Sequence, residues 1–99
     1  MVQDNDITVE TTIARVEPVI SAEVGDEIVM LHLEKNAYYD TNVIGAAVWR
    51  ALSTPTSVRA ICSTLVQRYE VDLATCETDV LAFVREAYAE GLIRVVSQD

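Results

Sequence analysis

The 99-residue sequence has few basic, aromatic, cysteine and glycine residues, and each shortage argues against a class of function. Seven Lys and Arg stand against sixteen Asp and Glu, for a net charge of -9. Nucleic acids and anionic membranes are bound through cationic side chains, so neither is expected as a partner. One histidine and two cysteines without a CxxC pair predict no metal site. Three glycines form no phosphate-binding loop, and we expect no cofactor.

The sequence also has no recognisable targeting or membrane segment. Its first ten residues, MVQDNDITVE, contain neither a basic stretch nor an apolar core, so no signal peptide is expected. No apolar run approaches the roughly 18 residues that a membrane span needs. These features favour a cytoplasmic protein in which Cys62 and Cys76 are buried, reduced thiols.

The first 40 residues predict β-strands. Ile7 to Val16 is rich in β-branched residues and predicts an extra strand or an extended arm within an N-terminal segment, residues 1–18. Val19 to Val24 and Glu27 to Leu33 flank a Gly-Asp turn and predict a hairpin. The second of these runs is apolar on both faces, which favours a central strand, and His32 is expected at its edge. Ala37 to Asp40 then predicts a third strand at the edge of the sheet.

The remainder of the chain predicts three helices. Asn42 is a suitable N-cap, and the apolar spacing changes at Val43 from strand-like to helical. A second helix is expected after Thr56 or Ser57, and a third from about Leu73 to Glu90. We therefore predict one α+β domain, residues 19–96, with a winged helix-turn-helix-like plan. In it a three-stranded antiparallel sheet precedes three helices, with possible extra terminal strands and a short tail at residues 97–99.

No catalytic arrangement is recognisable in the sequence, so we expect a non-enzyme. The carboxylates do not pair within an apolar segment, and no serine or cysteine is set with a histidine partner. The winged-helix plan raises the alternative of a DNA-binding regulator. Its third helix argues against DNA, because Glu77 and Asp79 lie near its start and Arg85 is its one basic residue.

The predicted edge strand, Ala37 to Asp40, is the strongest candidate for a binding site. It contains neither proline nor lysine, the residues that commonly discourage pairing with another chain. The charges are also unevenly distributed. Residues 41–69 carry three arginines and no acid, and the segments on either side are acidic.

The ordered motifs resemble those of the PqqD-like proteins, the RiPP recognition elements. They are a glycine-containing turn, an apolar strand, an aromatic pair, a helix with an early Gly and a Trp, a second helix ending in Tyr-x-Val-Asp, and a long helix closing with Gly-Leu-Ile. The similarity covers about Val19 to Val96. It departs at Asn36, where the family often has Gly, and at Thr41, where it usually has Leu.

The resemblance implies that the chain binds the leader segment of a ribosomally synthesised precursor peptide. The leader would lie antiparallel along the third strand, in the groove beside the third helix. Backbone pairing is expected on Ala37, Tyr38, Tyr39 and Asp40. The resemblance places the groove floor at Val80, Phe83, Val84 and Ala87, with Glu77 and Asp79 meeting basic leader residues.

Within this family, a free-standing acidic chain of this size is most similar to the recognition protein of lasso-peptide biosynthesis. The resemblance then implies that a leader peptidase is the partner enzyme. The alternative within the family is a PqqD-type peptide chaperone for a radical-SAM enzyme. The basic segment with Arg50, Arg59 and Arg68 is a candidate docking face for the enzyme.

Overall fold

The computed structural model describes residues 6–96, which form six strands and three helices. The first five residues of the predicted N-terminal segment and the predicted tail, residues 97–99, lie outside the described residues. In chain order the elements are β1 (Thr12–Arg15), β2 (Val19–Val24), β3 (Glu27–His32), β4 (Ala37–Asp40), α1 (Val43–Ala51), β5 (Thr56–Ser57), α2 (Val58–Arg68), α3 (Leu73–Ala89) and β6 (Ile93–Val95). This arrangement confirms the predicted α+β fold.

The main sheet is an antiparallel meander with the order β2-β3-β4, so β3 is central, as predicted. Successive side chains of a strand point to opposite faces. Ile28, Met30 and His32 therefore share the face that packs on the helices, and all three are buried. His32 is the last residue of β3, as predicted, and its imidazole lies on the core side, where Nδ1 accepts a hydrogen bond from the Lys35 backbone N–H, 3.3 Å away.

A second, smaller sheet joins distant parts of the chain in the order β5-β1-β6. The extra strand predicted within residues 7–16 is real but shorter, because a turn over Thr8 to Thr11 precedes it. In that turn the Thr11 backbone N–H donates to the Thr8 carbonyl at 3.0 Å. Since β1 pairs with β6, the extra terminal strands fasten the two ends of the domain to each other.

Each helix begins at a polar residue that caps free backbone N–H groups. The side chains of Asn42, Ser57 and Asp72 accept hydrogen bonds from backbone N–H groups in the first turns of α1, α2 and α3. Gly91 follows α3 with φ of +79°, a conformation that favours glycine at a helix end. The predicted helix boundaries are thus confirmed to within a residue or two.

The junction between β4 and α1 is built on Thr41, where the family usually has leucine. Its side chain is buried, and Oγ1 accepts from the Ile28 N–H at 3.0 Å and donates to the Ile28 carbonyl at 3.1 Å. Both hydrogen-bonding capacities of the hydroxyl are therefore satisfied, which removes the usual cost of burying it. This double hydrogen bond fixes where β4 leaves the sheet.

The core fills the space between the main sheet and the helices. Trp49 is its largest fully buried side chain, with Nε1 donating to Ser21 Oγ at 3.1 Å and the Arg15 guanidinium 4.6 Å from the ring centroid. Cys62 and Cys76 are buried free thiols in the same core, as predicted. Burial is the main cause that raises the pKa of Cys62, from an ordinary 9.0 to about 11.

This raised pKa predicts a loss of stability at alkaline pH. Between pH 9 and pH 11 the thiol ionises in the unfolded chain but stays protonated in the folded one. The folded state then holds more protons, so the free energy of unfolding falls as pH rises through that window. Urea unfolding midpoints measured from pH 8 to pH 11 should fall more steeply in the parent than in Cys62→Ala. If the urea midpoints of the two proteins fell equally with pH, the raised pKa of Cys62 would be contradicted.

Candidate functional site

The outer edge of β4 offers backbone hydrogen-bonding groups that the sheet does not use. The Thr41 N–H donates to the Ile28 carbonyl at 3.0 Å, and Tyr39 and Ala37 lie opposite Met30 and His32. Hydrogen-bonded pairs alternate with non-bonded ones along an antiparallel ladder. Tyr39 and Ala37 therefore bond to β3, whereas the N–H and C=O groups of Tyr38 and Asp40 point away from the sheet.

The same alternation sends the two tyrosine side chains to opposite faces. Tyr38 is 73% exposed on the side of the sheet that faces away from the helices. Tyr39 is half-buried and lines the groove between β4 and α3. Burial raises the pKa of Tyr39, and interaction with the Glu90 side chain raises it further. Tyr39 thus lies on the face of β4 that borders the groove, and Tyr38 lies on the opposite, outer face.

The groove has two compartments. The first, which we call the Met30 compartment, is a cavity of about 160 Å³ near the C-terminal end of α3. Met30, Ala87 and Leu92 are buried beneath it, and the Tyr39 and Phe83 rings form its walls. Asp40, Thr41, Asn42, Glu86 and Glu90 complete its lining.

The polar side chains around the Met30 compartment are largely engaged within the chain. Thr41 Oγ1 is bonded to Ile28, Asn42 Oδ1 accepts from the Gly45 N–H at 2.8 Å, and Glu90 interacts with Tyr39. What remains for a ligand is mainly the apolar surface of the Tyr39 and Phe83 rings above the buried Met30, with Glu86 at the margin. This compartment therefore suits an uncharged side chain.

The second, the Asp79 compartment, is a larger cavity of about 330 Å³ one helical turn earlier on α3. It is lined by Asn42, Ile44, Asp79, Ala82, Phe83 and Glu86. Within residues 6–96, no side chain forms a hydrogen bond or an ion pair with the carboxylate of Asp79 or of Glu86. Two uncommitted carboxylates beside an apolar wall suit a long basic side chain.

Phe83 divides the two compartments because it lines both. Its position depends on Gly45 in the first turn of α1, since a Cβ there would lie 2.7 Å from the Phe83 ring. Such a contact is sterically forbidden, so a larger residue at position 45 would displace the ring. Gly45 thereby determines how deep the groove is.

The structure corrects part of the predicted site. Val80 and Val84 are 0% exposed and belong to the core beneath the groove, where no ligand can touch them. Glu77 lies on the α2 side of α3. The pKa of Arg59 is raised mainly by its hydrogen bond with Glu10, and Glu77 adds to the rise. Asp79, Phe83 and Ala87 line the groove together with Tyr39 and Asp40 of β4, whereas Ala37 lines neither groove cavity and the Tyr38 ring lies on the outer face.

Met30, Glu86 and Glu90 are groove residues that the sequence interpretation missed. Asp79, Phe83, Glu86 and Glu90 recur at intervals of three or four residues, which places them on one face of α3. This mixed aromatic and acidic face was the available signal. The prediction relied mainly on the purely apolar stripe of α3, and that stripe builds the core.

The outer face of the main sheet is apolar and uncovered. Ile20, Leu31 and Tyr38 lie side by side in one cross-strand row, and Ala22, Val29 and Asp40 form the next. Ile20 is 54% exposed, a large fraction for a side chain of this kind. β3 is therefore apolar on both faces although helices cover only one of them. Its other apolar face belongs to the exposed outer face of the main sheet.

Two of the three arginines in the basic segment are neutralised within the chain. Arg50 Nη2 lies 2.8 Å from Glu23 Oε1, and Arg59 forms an ion pair with Glu10. Net charge summed along the sequence could not show these pairings. They leave residues 41–69 without the free cationic face that was predicted as a docking surface.

Residues 6–96 also contain no candidate metal site and no candidate membrane span. Within that range no group of three or more His, Cys, Asp or Glu side chains is placed to hold a metal ion. Nor does any described helix combine the length and apolarity needed to cross a membrane.

The fold and the groove define a small α+β domain of a known structural type. The structure of TbiB1 in complex with the TbiA(beta) leader peptide matches with a TM-score of 0.77 and 27% identity, over 86% of this chain and 99% of that one. Lasso peptide synthetase B1, complexed with the leader peptide, matches with a TM-score of 0.72 and 21% identity, over 83% and 96%. The PqqD truncation of Methylobacterium extorquens PqqCD, a stand-alone RiPP recognition element, matches with 0.78 and 18%, over 94% and 99%.

The sequence itself carries the family assignment. The family of coenzyme PQQ synthesis protein D (PqqD) matches residues 27–93, about two thirds of the chain. The chain belongs to the PqqD family, which confirms the resemblance seen in its motifs. A comparison with curated proteins gave no match.

Proposed function

We propose that this protein binds the leader segment of a ribosomally synthesised precursor peptide and presents it to a processing enzyme. The observation that carries the proposal is the open edge of β4, where the backbone groups of Tyr38 and Asp40 point away from the sheet beside a groove. An extended peptide added there gains backbone hydrogen bonds, each contributing about 0.5 to 1.5 kcal/mol net.

The groove supplies what the backbone bonds cannot, which is selectivity. Side chains of an added strand alternate between two faces, so every second leader residue points into the groove. Those residues contact Tyr39, Asp79, Phe83 and Ala87, the predicted site residues that the groove retains. Glu86 and Glu90 join them. TbiB1, which is 27% identical, was solved with a leader peptide, and this supports the assignment of a leader as the ligand.

The chain acts without catalysis of its own in this proposal. Its part is to hold the leader in an extended form and to bring it to an enzyme. The favoured enzyme is the cysteine leader peptidase of lasso-peptide biosynthesis, supported by the similarity to TbiB1 and to lasso peptide synthetase B1. The similarity to Methylobacterium extorquens PqqD keeps the radical-SAM chaperone role as the second candidate.

The outer face of the main sheet is where the enzyme docks in this account. An added leader extends the sheet by one strand, so its outward side chains continue the row formed by Ile20, Leu31 and Tyr38. An enzyme on this face would contact the leader and the protein together. Glu27 and Asp40 border the apolar rows, so we expect a partner surface that is apolar at its centre and basic at its margin.

A titration tests the leader-binding function. Leader segments of the precursor peptides encoded beside this gene should bind the full-length chain saturably with one-to-one stoichiometry in isothermal titration calorimetry. Core segments of the same precursors are the matched control and should not bind. Equal binding of leader and core, or binding of neither, would contradict the proposal.

A further inference from the structure

The two compartments of the groove are separated by a distance that an extended peptide can match. When the helical C-cap residue Glu90 is counted with α3, the helix residues around the Met30 compartment lie four positions, on average, beyond those around the Asp79 compartment. At 1.5 Å per residue, four positions of helix span about 6 Å. Two residues of an extended strand span about 6.6 to 6.8 Å. Consecutive groove-facing residues of one strand can therefore occupy the two compartments.

The two compartments differ in whether their polar side chains have hydrogen-bond partners within the chain. The polar side chains that point toward Met30 are bonded within the chain, apart from Glu86, which the compartments share. Asp40 borders the Met30 compartment, but it lies opposite Val29, so its side chain is on the outer face of the sheet. The carboxylate of Asp79 is uncommitted and open to solvent on the far side of the Phe83 ring, and that of Glu86, equally uncommitted, lies between the two compartments. One compartment is complementary to an apolar side chain and the other to a cation.

We infer that the groove selects peptides in which a Lys or Arg precedes a large apolar residue by two positions. The cation occupies the Asp79 compartment, the apolar side chain occupies the Met30 compartment, and Phe83 packs between them. The order of the cation and the apolar residue follows from the direction of the added strand. A strand antiparallel to β4 begins beside Asn42 and ends beside Ala37, so the cation is N-terminal. This inference rests on the proposed leader-binding function.

A library selection tests the pattern without knowledge of the natural leader. An mRNA-displayed library of random 15-residue peptides is selected on the full-length parent, on Asp79→Lys/Glu86→Lys, and on Glu77→Lys. The last is the matched control, because it reverses a charge on the same helix outside the groove. Parent and control should enrich Lys or Arg two positions before an apolar residue. The double variant should lose the cation and keep the apolar residue.

Affinity and position of binding are then measured with fluorescein-labelled peptides made from the enriched sequence. Replacing the cation by Glu should weaken binding to the parent about fivefold, the upper range for one exposed ion pair. Peptides that protect the Tyr38 and Asp40 amides without any charge preference would overturn this inference and leave strand addition standing. No enriched peptides, or peptides that leave those amides unaffected, would overturn both.

Discussion

Tyr38→Pro is expected to weaken leader binding by at least about tenfold while leaving the fold intact. Proline removes the Tyr38 N–H, which points away from the sheet, and leaves the bonds of Ala37 and Tyr39 to β3 in place. Edge strands tolerate proline where the missing N–H faces outward. The lost hydrogen bond costs about 0.5 to 1.5 kcal/mol, and the ring obstructs the approaching strand. Fluorescence anisotropy with a labelled leader measures the change.

The matched control is Tyr38→Ala, which keeps the N–H and removes the exposed ring. It should bind the leader within about threefold of the parent, because that ring lies on the outer face and not in the groove. Circular dichroism spectra of both variants should overlay that of the parent. If the two variants weaken binding equally, the tyrosine side chain carries the effect and strand addition at this position is wrong.

Leu31→Lys should separate leader binding from delivery to the enzyme. Leu31 lies at the centre of the outer face, between Ile20 and Tyr38, and a charge there would have to be desolvated under a docked protein. Enzyme-catalysed cleavage or modification of the leader-bearing precursor should fall at least about tenfold at low protein concentration, for a cost of about 1.4 kcal/mol or more. Leader affinity should stay within about twofold of the parent.

Leu73→Lys controls for the added charge and the lost leucine. Leu73 is 50% exposed at the start of α3, away from the outer face and from the groove cavities. This variant should process precursor at the parent rate. Equal losses from Leu31→Lys and Leu73→Lys would show that charge alone, and not the outer face, governs the enzyme step.

Much of the fold follows from local sequence signals. The turn at Gly25, the strand-to-helix change after Asn42 and the stop at Gly91 act over a few residues, and the structure bears out all three. The orientation of β3 was harder to predict. With apolar residues on both faces, only tertiary packing decides that Met30 faces the helices and Leu31 faces outward.

The sequence indicated where the groove lies but only part of its lining. The Ala37–Asp40 edge follows from strand order, which the turn residues determine. The apolar stripe on α3 does not show which of its members reach the surface, and Val80 and Val84 proved to be core. The depth of the groove depends on Gly45 and Phe83, which are distant in sequence and meet only in the folded protein. The ion pair between Arg50 and Glu23 likewise joins residues that are distant in sequence.

The most direct test of strand addition is amide hydrogen exchange at β4 with and without bound leader. In the free protein the Tyr39 amide should be protected by its bond to β3, whereas those of Tyr38 and Asp40 should exchange rapidly. A saturating leader should protect Tyr38 and Asp40 by at least about tenfold and change Tyr39 little. A leader that binds tightly while both amides continue to exchange at their free rates would contradict the account.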